Sequence, residues 1–294
     1  MIRSQLVMWS ACLTIASIAA AKEPSQRTFT LNYGAVLQDL PEDAQVRVWV
    51  PLPQDSAHQS VRLVSKQIPG DAVVGSDETY GNKMLYFEPH DSGDAEFQLT
   101  FKITRREVLG LQQHGAPGLT AAEKKLYLSA NSLVPLEGKP QELIANLLRS
   151  DDPLKLGKQL YLRVDEHMKY DKSRPGYGNG DAAWACDSRF GNCTDFHSLF
   201  NSFARSSGLP SRFEIGFPLP PERGEGKIVG YHCWAEFFAA GHGWVPVDIS
   251  EADKHPDMKE YYFGNLTENR VAFSRGRDIE LVPRQKGDPL NYFV

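Results

Sequence analysis

The heptapeptide Gly-Asn-Cys-Thr-Asp-Phe-His at residues 191–197 constrains this chain more than any other stretch. Asn192 is a favourable N-cap, and Gly208 followed by Pro210 is a typical helix end. Between them, apolar residues recur at spacings of three and four, which is typical of an amphipathic helix: Phe196, Leu199, Phe200 and Phe203. The sequence therefore predicts a helix of about four turns with Cys193 in its first turn.

A cysteine in the first turn of a helix is a candidate nucleophile. Free backbone N–H groups and the positive end of the helix dipole both stabilise a thiolate relative to a thiol. The alternative is a buried structural cysteine, and the placement of Cys193 alone does not separate the two.

Two aromatic-rich segments further along the chain are predicted to form a β-hairpin. They span residues 231–238 and 244–248, and a glycine-containing turn at residues 239–243 joins them. Because facing residues on paired strands stand roughly 5 Å apart, the hairpin brings Asp248 beside His232. Cys193, His232 and Asp248 would then serve as nucleophile, base and orienting carboxylate.

Four separated motifs together resemble the transglutaminase-like superfamily over about residues 140–250. They are Gly-Asn-Cys-Thr-Asp-Phe at 191–196, Gly-Leu-Pro-Ser-Arg at 208–212, His-Cys-Trp-Ala-Glu at 232–236 and Gly-Trp-Val-Pro-Val-Asp at 243–248. The resemblance implies an α+β fold with a papain-like core, in which helices pack on an antiparallel sheet. It also implies that Cys193, His232 and Asp248 occupy the triad positions. It does not imply protein cross-linking, because similar bacterial proteins include expected peptidases, amidases and inactive members.

The candidate groups that would bind the oxyanion are partly inferred from this resemblance. The backbone N–H of Cys193 is the natural first donor. The resemblance further implies an aromatic donor upstream of the cysteine, for which Tyr170 and Trp184 are candidates. Each of the two could instead be an ordinary core aromatic residue.

Two other sites compete with this triad. His197 shares a helix face with Cys193 and is a rival base, although no carboxylate is obviously placed to orient it. A zinc site could combine Cys186, Cys193, His197 and His232. The spacing between the two cysteines is unlike the short ligand pairs of structural zinc sites, so no metal and no cofactor are expected.

The other cysteines leave one question open. His232 and Cys233 are strand neighbours, so we expect Cys233 to point away from the cleft that His232 faces. A disulfide between Cys186 and Cys233 would then be compatible with a free Cys193. Two buried free thiols are the alternative.

The chain divides into four predicted regions. Residues 1–21 resemble a signal peptide, with a short positive start, an apolar stretch and an Ala-Ala-Ala cleavage site. Residues 22–106 alternate in strand fashion and predict a small β-sandwich domain. Residues 107–250 form the predicted catalytic core, and residues 251–294 a C-terminal extension packed on that core.

The charge and the apolar content of the chain limit the kinds of partner that it can bind. A net charge of −5 without a basic run argues against nucleic acid. The apolar leader is short for a bilayer span, so no stable membrane span is expected once it is removed. The sequence thus predicts an exported protein, periplasmic or secreted, acting on a peptide or protein, for example cell-wall peptide.

The predicted function is thiol-dependent acyl transfer or hydrolysis at an amide bond. A water acceptor would make the protein a cysteine peptidase or amidase, and an amine acceptor would make it a transglutaminase-like acyltransferase. The competing hypothesis is a catalytically inactive binding or scaffold protein that keeps the fold.

Overall fold

The computed structural model describes residues 23–40, 45–90 and 93–294 of the chain. The predicted signal peptide, residues 1–21, lies outside the described residues. No helix in the described part of the chain is long and apolar enough to cross a bilayer.

The N-terminal region is built from two antiparallel three-stranded sheets. Its strands are β1 (Gln26–Leu40), β2 (Val48–Pro51), β3 (Gln59–Gln67), β4 (Ala72–Ser76), β5 (Lys83–Phe87) and β6 (Gly93–Arg106). The sheet orders are β1-β6-β3 and β2-β5-β4. Side chains of β6 alternate between exposed and buried, and its buried Phe97 and Leu99 pack with Leu85 and Phe87 of the other sheet. This is the small β-sandwich that the alternating sequence predicts.

The helices lie downstream of the sandwich, with an antiparallel sheet. The helices are α1 (Ala121–Leu128), α2 (Lys139–Glu142), α3 (Pro153–His167), α4 (Ala182–Ser188), α5 (Cys193–Ser206) and α6 (Ile249–Lys254). Single 3-10 turns occur at Gly110–Gln112 and Pro256–Met258. The predicted α+β class with helices packed on an antiparallel sheet is confirmed.

A four-stranded sheet carries the predicted hairpin. Its strands are β10 (Ser211–Pro218), β11 (His232–Ala239), β12 (Gly243–Val247) and β14 (Arg270–Arg275), in the order β12-β11-β10-β14. Two short pairs flank it, β7 (Val108–Leu109) with β13 (Asn265–Leu266) and β8 (Lys169–Tyr170) with β9 (Phe190–Gly191). In the hairpin Ala235 faces Val247, which places Asp248 one residue beyond β12.

The helix α5 is the centre of the core, as its periodicity predicts. Asn192 caps its first turn in a reciprocal capping box with Asp195. The predicted apolar stripe is wholly buried and packs on the β11 face that carries Ala235 and Phe237: Phe196, Leu199, Phe200 and Phe203.

The helix α2 is confined to Lys139–Glu142, and α3 side chains bond carbonyls that follow it: Arg163 donates to Leu143 and Gln159 donates to Leu148. These carbonyls are satisfied without a continuing helix.

The C-terminal segment, residues 251–294, does more than pack on the core. Helix α6 crosses the predicted boundary of this segment, and β14 joins the four-stranded sheet beside β10. Phe273 of β14 also contacts Tyr33 of the sandwich, with ring centroids 5.1 Å apart. The segment therefore connects the sandwich to the sheet, a role that depends on long-range strand pairing rather than on local sequence.

Phe200→Ala tests how far folding depends on α5. Phe200 is wholly buried and its ring centroid lies 6.2 Å from that of Phe237 on β11. Truncation removes the apolar contact and leaves a cavity, so we expect the free energy of unfolding to fall by about 3–5 kcal/mol. Chemical denaturation measures this. The control Leu148→Ala, at an 89% exposed site, should change it by less than about 0.5 kcal/mol; equal effects of the two variants would contradict the central role of α5.

Candidate active site

The N-terminus of α5 positions Cys193. Asn192 Oδ1 accepts a hydrogen bond from the Thr194 N–H at 2.9 Å, and Asn192 Nδ2 donates to the Tyr231 hydroxyl at 3.1 Å. Cys193 lies directly after this cap and is only 2% exposed. Cys193 therefore has the helix-start position that the sequence predicts, in a closed environment.

The Asp195 carboxylate fixes the backbone around this helix start. It accepts hydrogen bonds from the N–H groups of Gly178, Gly180 and Asn192, each at 2.9 Å. Burial raises the pKa of Asp195. A Cβ at Gly191 would lie 2.5 Å from this carboxylate, so a glycine is needed for the close approach.

His232 and Asp248 face one another across the end of the hairpin. His232 Nε2 lies 2.7 Å from Asp248 Oδ2, and both side chains are buried. Cys193 lies close enough to His232 to raise the pKa of its ring. Because Nε2 is engaged by Asp248, Nδ1 is the ring nitrogen left for the sulfur. The structure thus brings together the three residues predicted as nucleophile, base and orienting carboxylate.

A second cation contacts Asp248. Arg270 Nη1 on β14 donates to Asp248 Oδ2 at 2.9 Å, and its guanidinium carbon lies 4.9 Å from the Trp234 ring centroid. The other oxygen, Oδ1, accepts from the Ser250 hydroxyl and the Glu251 N–H, each at 3.2 Å. The buried carboxylate is therefore fully hydrogen-bonded and paired with two cations, as a buried charge requires.

The ionisation of the three groups follows from these contacts. A hydrogen bond from Cys233 and the hydrogen bond and charge of His232 hold the pKa of the Cys193 thiol well below its usual range, although burial opposes them. Burial alone would lower the pKa of His232, but Asp248 and Cys193 together raise it to about 10. Burial would raise the pKa of Asp248, but His232 and Arg270 hold it well below its usual range. These shifts all favour the charged pair of a Cys193 thiolate and a His232 imidazolium beside the Asp248 carboxylate.

Cys233 does not face away from the nucleophile, contrary to the expectation from strand alternation. Its sulfur lies 3.6 Å from His197 Nδ1 and 4.0 Å from Thr194 Oγ1, both on α5. Helix α5 covers the Cys233 face of β11, and its N-terminus lies over the start of that strand. His232 and Cys233 therefore both reach Cys193, although they leave the strand on opposite faces.

The Cys186–Cys233 disulfide is not formed, and all three cysteines in the described part of the chain are free, buried thiols. Cys186 lies on α4 and packs with the helices around α5, whereas Cys233 packs with Cys193 and Phe213. Burial raises the pKa of Cys186 to about 12 and that of Cys233 well above its usual range, so both are protonated.

His197, the rival base, has a different environment. It is fully buried, and its Nε2 accepts a hydrogen bond from the Ile249 N–H at 3.1 Å. Burial lowers the pKa of His197 to about 4, so the ring is neutral. Its Nδ1 lies 3.6 Å from the Cys233 sulfur and its Nε2 lies 3.9 Å from Asp248 Oδ1, so His197 links α5 to α6 and is neutral beside the same carboxylate.

The two aromatic candidates for oxyanion binding flank the helix start. The Tyr170 ring centroid lies 6.4 Å from that of Phe196, and Lys254 Nζ lies 4.8 Å from the Tyr170 ring centroid. Trp184 on α4 packs edge-on against Phe190, with centroids 5.3 Å apart. These packing contacts leave their role as donors a prediction, together with that of the Cys193 backbone N–H.

Within the described ranges, one group of side chains has the spacing for a metal ion: His232, Asp248 and Glu251. The hydrogen bond between His232 and Asp248 accounts for most of this proximity. Arg270 occupies the same Asp248 oxygen and would repel a cation. The alternative zinc ligands Cys186, Cys193, His197 and His232 do not come together as such a group among the described residues.

The comparisons with known proteins match this architecture. Residues 141–249 match the family model of the transglutaminase-like superfamily. An uncharacterized protein of Haemophilus influenzae is 28% identical over 90% of this chain and 83% of its own length. The structure of a proposed cysteine protease from Cytophaga hutchinsonii is 12% identical, covers 86% of this chain and 84% of its own, and has a TM-score of 0.62. The periplasmic domain of TgpA from Pseudomonas aeruginosa is 17% identical, covering 81% of this chain and 75% of its own, with a TM-score of 0.44.

The motifs, the fold and the family match therefore agree. Residues 141–249, which include Cys193, His232 and Asp248, are similar to the core domain of the transglutaminase-like superfamily.

Proposed function

We propose that this protein catalyses thiol-dependent acyl transfer or hydrolysis at an amide bond of a peptide or protein. One observation supports this most: His232 is bonded through Nε2 to Asp248, at 2.7 Å, while its other nitrogen is left for Cys193 at the start of a helix. Nucleophile, base and orienting carboxylate in this order are the arrangement of a thiol acyltransferase.

In the first half-reaction the Cys193 thiolate attacks the carbonyl carbon of the substrate amide and forms a C–S bond. The carbonyl oxygen becomes an oxyanion, for which the backbone N–H of Cys193 is the nearest donor. As the C–N bond breaks, the His232 imidazolium gives its proton to the departing amine. Asp248 holds the ring in place throughout.

In the second half-reaction the acceptor attacks the thioester. Neutral His232 takes a proton from water or an amine, the C–S bond breaks, and Cys193 returns to the thiolate. Water gives hydrolysis, and an amine gives transamidation. We favour hydrolysis, because water is always present as an acceptor.

The apolar leader of the sequence supports an exported site of action, periplasmic or secreted. Peptides outside the cytoplasm, cell-wall peptide among them, are then the substrates to test first.

The second candidate is a non-catalytic binding protein on the same fold. The observation that favours it is the closure of the site, with Cys193 only 2% and His232 only 5% exposed. A catalytic protein has to open this site to admit a substrate, whereas a binding protein does not. Thiol reactivity at neutral pH separates the two.

Cys193→Ala should remove turnover while leaving the fold intact, because the sulfur performs chemistry and its replacement is small. We expect loss of at least about a thousandfold in rate. The assay incubates the protein with peptides and peptidoglycan fragments and identifies products and acceptors by mass spectrometry. Cys186→Ala, which removes another buried thiol on α4, is the matched control and should retain activity. Equal activity of Cys193→Ala and the control would disprove the assignment.

The pH dependence of Cys193 alkylation reports the ion pair. The pKa of His232 is raised from 6.5 to about 10, so the imidazolium persists through neutral pH and is lost as the pH rises through about 10. Iodoacetamide should therefore label Cys193 already below pH 7. In His232→Ala the Cys193 thiolate loses its cationic partner, so burial raises the pKa of Cys193. Labelling of this variant should therefore require alkaline pH. His242→Ala, at the far end of the hairpin, should match the parent protein; a parent profile that resembles an ordinary thiol would contradict the ion pair.

Asp248→Asn should lower both rate and stability. The amide cannot stabilise the imidazolium, and Arg270 loses its buried counter-charge. We expect the free energy of unfolding to fall by about 3–5 kcal/mol. Adding Arg270→Met should recover part of that stability and none of the rate, measured by denaturation and by product formation. If the double variant regained activity, the role of Asp248 would be only to neutralise Arg270.

A further inference from the structure

A cavity of about 570 Å³ lies between the N-terminal sandwich and the catalytic sheet. The sandwich contributes His58 and Arg105, and the sheet contributes Glu236 and Phe238 of β11. These β11 residues share the strand face of His232, opposite to the face covered by α5. Glu236 is four residues from His232 along the strand, roughly 13 Å at the rise of a β-strand. The cavity is therefore separate from the site at Cys193.

Arg105 is the unusual residue of this cavity. It follows Ile103 on the inner, otherwise apolar face of β6 and is only 3% exposed. Its Nε has no hydrogen-bond partner, and no carboxylate of the described residues lies within ion-pair distance of its guanidinium. A buried guanidinium without a bonded counter-ion costs stability, and a bound anion would remove that cost.

The other two arginines of the cavity are bonded to carboxylates. Arg212 bonds Glu236, and Arg275 bonds Glu214 at 2.7 Å, whose second oxygen accepts from the Trp234 indole at 3.0 Å. At the rim, Glu123 accepts hydrogen bonds from Thr120, which leave its negative charge in place. Among the described residues that line the cavity, Arg105 is thus the arginine without a bonded carboxylate, and Glu214 and Glu236 attract it only from a greater distance.

A neutral donor and an apolar wall accompany Arg105. His58 Nε2 lies 3.2 Å from the Gln113 amide nitrogen, which donates to it, so Nδ1 carries the proton. Burial and the charge of Arg105 lower the pKa of His58 to about 4, which keeps the ring neutral. Phe238 and Trp244 line the cavity on the side of the sheet. A volume of this size suits a small organic molecule rather than an inorganic ion alone.

We infer that this cavity is a binding site for a small amphipathic oxyanion, a carboxylate or phosphate monoester on an apolar body, with Arg105 as its principal charged donor. A guanidinium bonds either group through paired N–H donors, and the aromatic wall takes the apolar body. This inference is independent of the function proposed for Cys193.

The test titrates the full-length protein with three probes of one shape and measures binding by calorimetry. The probes are phenylacetate, phenyl phosphate and the neutral phenylacetamide. We expect an acid to bind and the amide to bind at least about tenfold more weakly, because the amide lacks the charge that Arg105 would pair. The tighter of the two acids identifies the anionic group. Equal binding of acid and amide, or binding of neither acid, would overturn the inference.

Variants assign the site to Arg105. Arg105→Met should weaken acid binding by about tenfold or more and leave the melting temperature equal or higher, since it removes an unpaired buried charge. Arg106→Met removes the same charge one residue away, at an exposed position on the opposite face, and should bind as the parent does. Undiminished acid binding by Arg105→Met would refute the assignment.

If Arg105→Met does not fold, Gly118→Phe tests whether the acid binds in this cavity. Gly118 lines the cavity, and a Cβ added there meets no atom within 4 Å, so the new ring can fill the cavity without disturbing the fold. We expect loss of acid binding, and retained binding would place the ligand elsewhere and contradict the site.

Discussion

The buried carboxylate of Asp248 is the charge on which the rest of the candidate site depends. It has no access to solvent and is stabilised by His232 on one side and Arg270 on the other. Three segments supply these groups: the end of β12, the start of β11 and the start of β14. The carboxylate therefore joins the hairpin to the C-terminal strand, and in the function that we propose it holds the imidazolium that stabilises the Cys193 thiolate. A change in any one of these charges alters the protonation of the others, because burial makes each uncompensated charge costly.

The helix α5 provides the second constraint. It presents Cys193 at its first turn, and its apolar stripe fixes that turn over the start of β11. Asp195 then ties the loop at Gly178 and Gly180 to the same turn. The helix α5 thus fixes both the packing of the core and the position of the Cys193 sulfur. That position follows from the hydrophobic core rather than from a flexible loop.

The sequence predicts the parts of this site that local patterns determine. The helix is predicted by the cap at Asn192 and by the spacing of the apolar residues after Cys193. The hairpin is predicted by the turn before Trp244. Arg270 was not predicted, because its contact with Asp248, 22 residues earlier, exists only once β14 has joined the sheet. The orientation of Cys233 was predicted wrongly, since strand alternation gives its face but not the element that covers it. The burial of Arg105 could not be predicted from the neighbouring sequence, because an arginine near the end of a strand is usually exposed.

The central claim is that the resting site holds a Cys193 thiolate and a His232 imidazolium. Nitrogen-15 NMR of the histidine side chains at pH 8 tests it directly, because this pH lies between the ordinary pKa of 6.5 and the raised value of about 10. We predict that His232 shows two protonated ring nitrogens in the parent protein and becomes largely neutral at higher pH only. A neutral His232 ring at pH 8 would contradict the account.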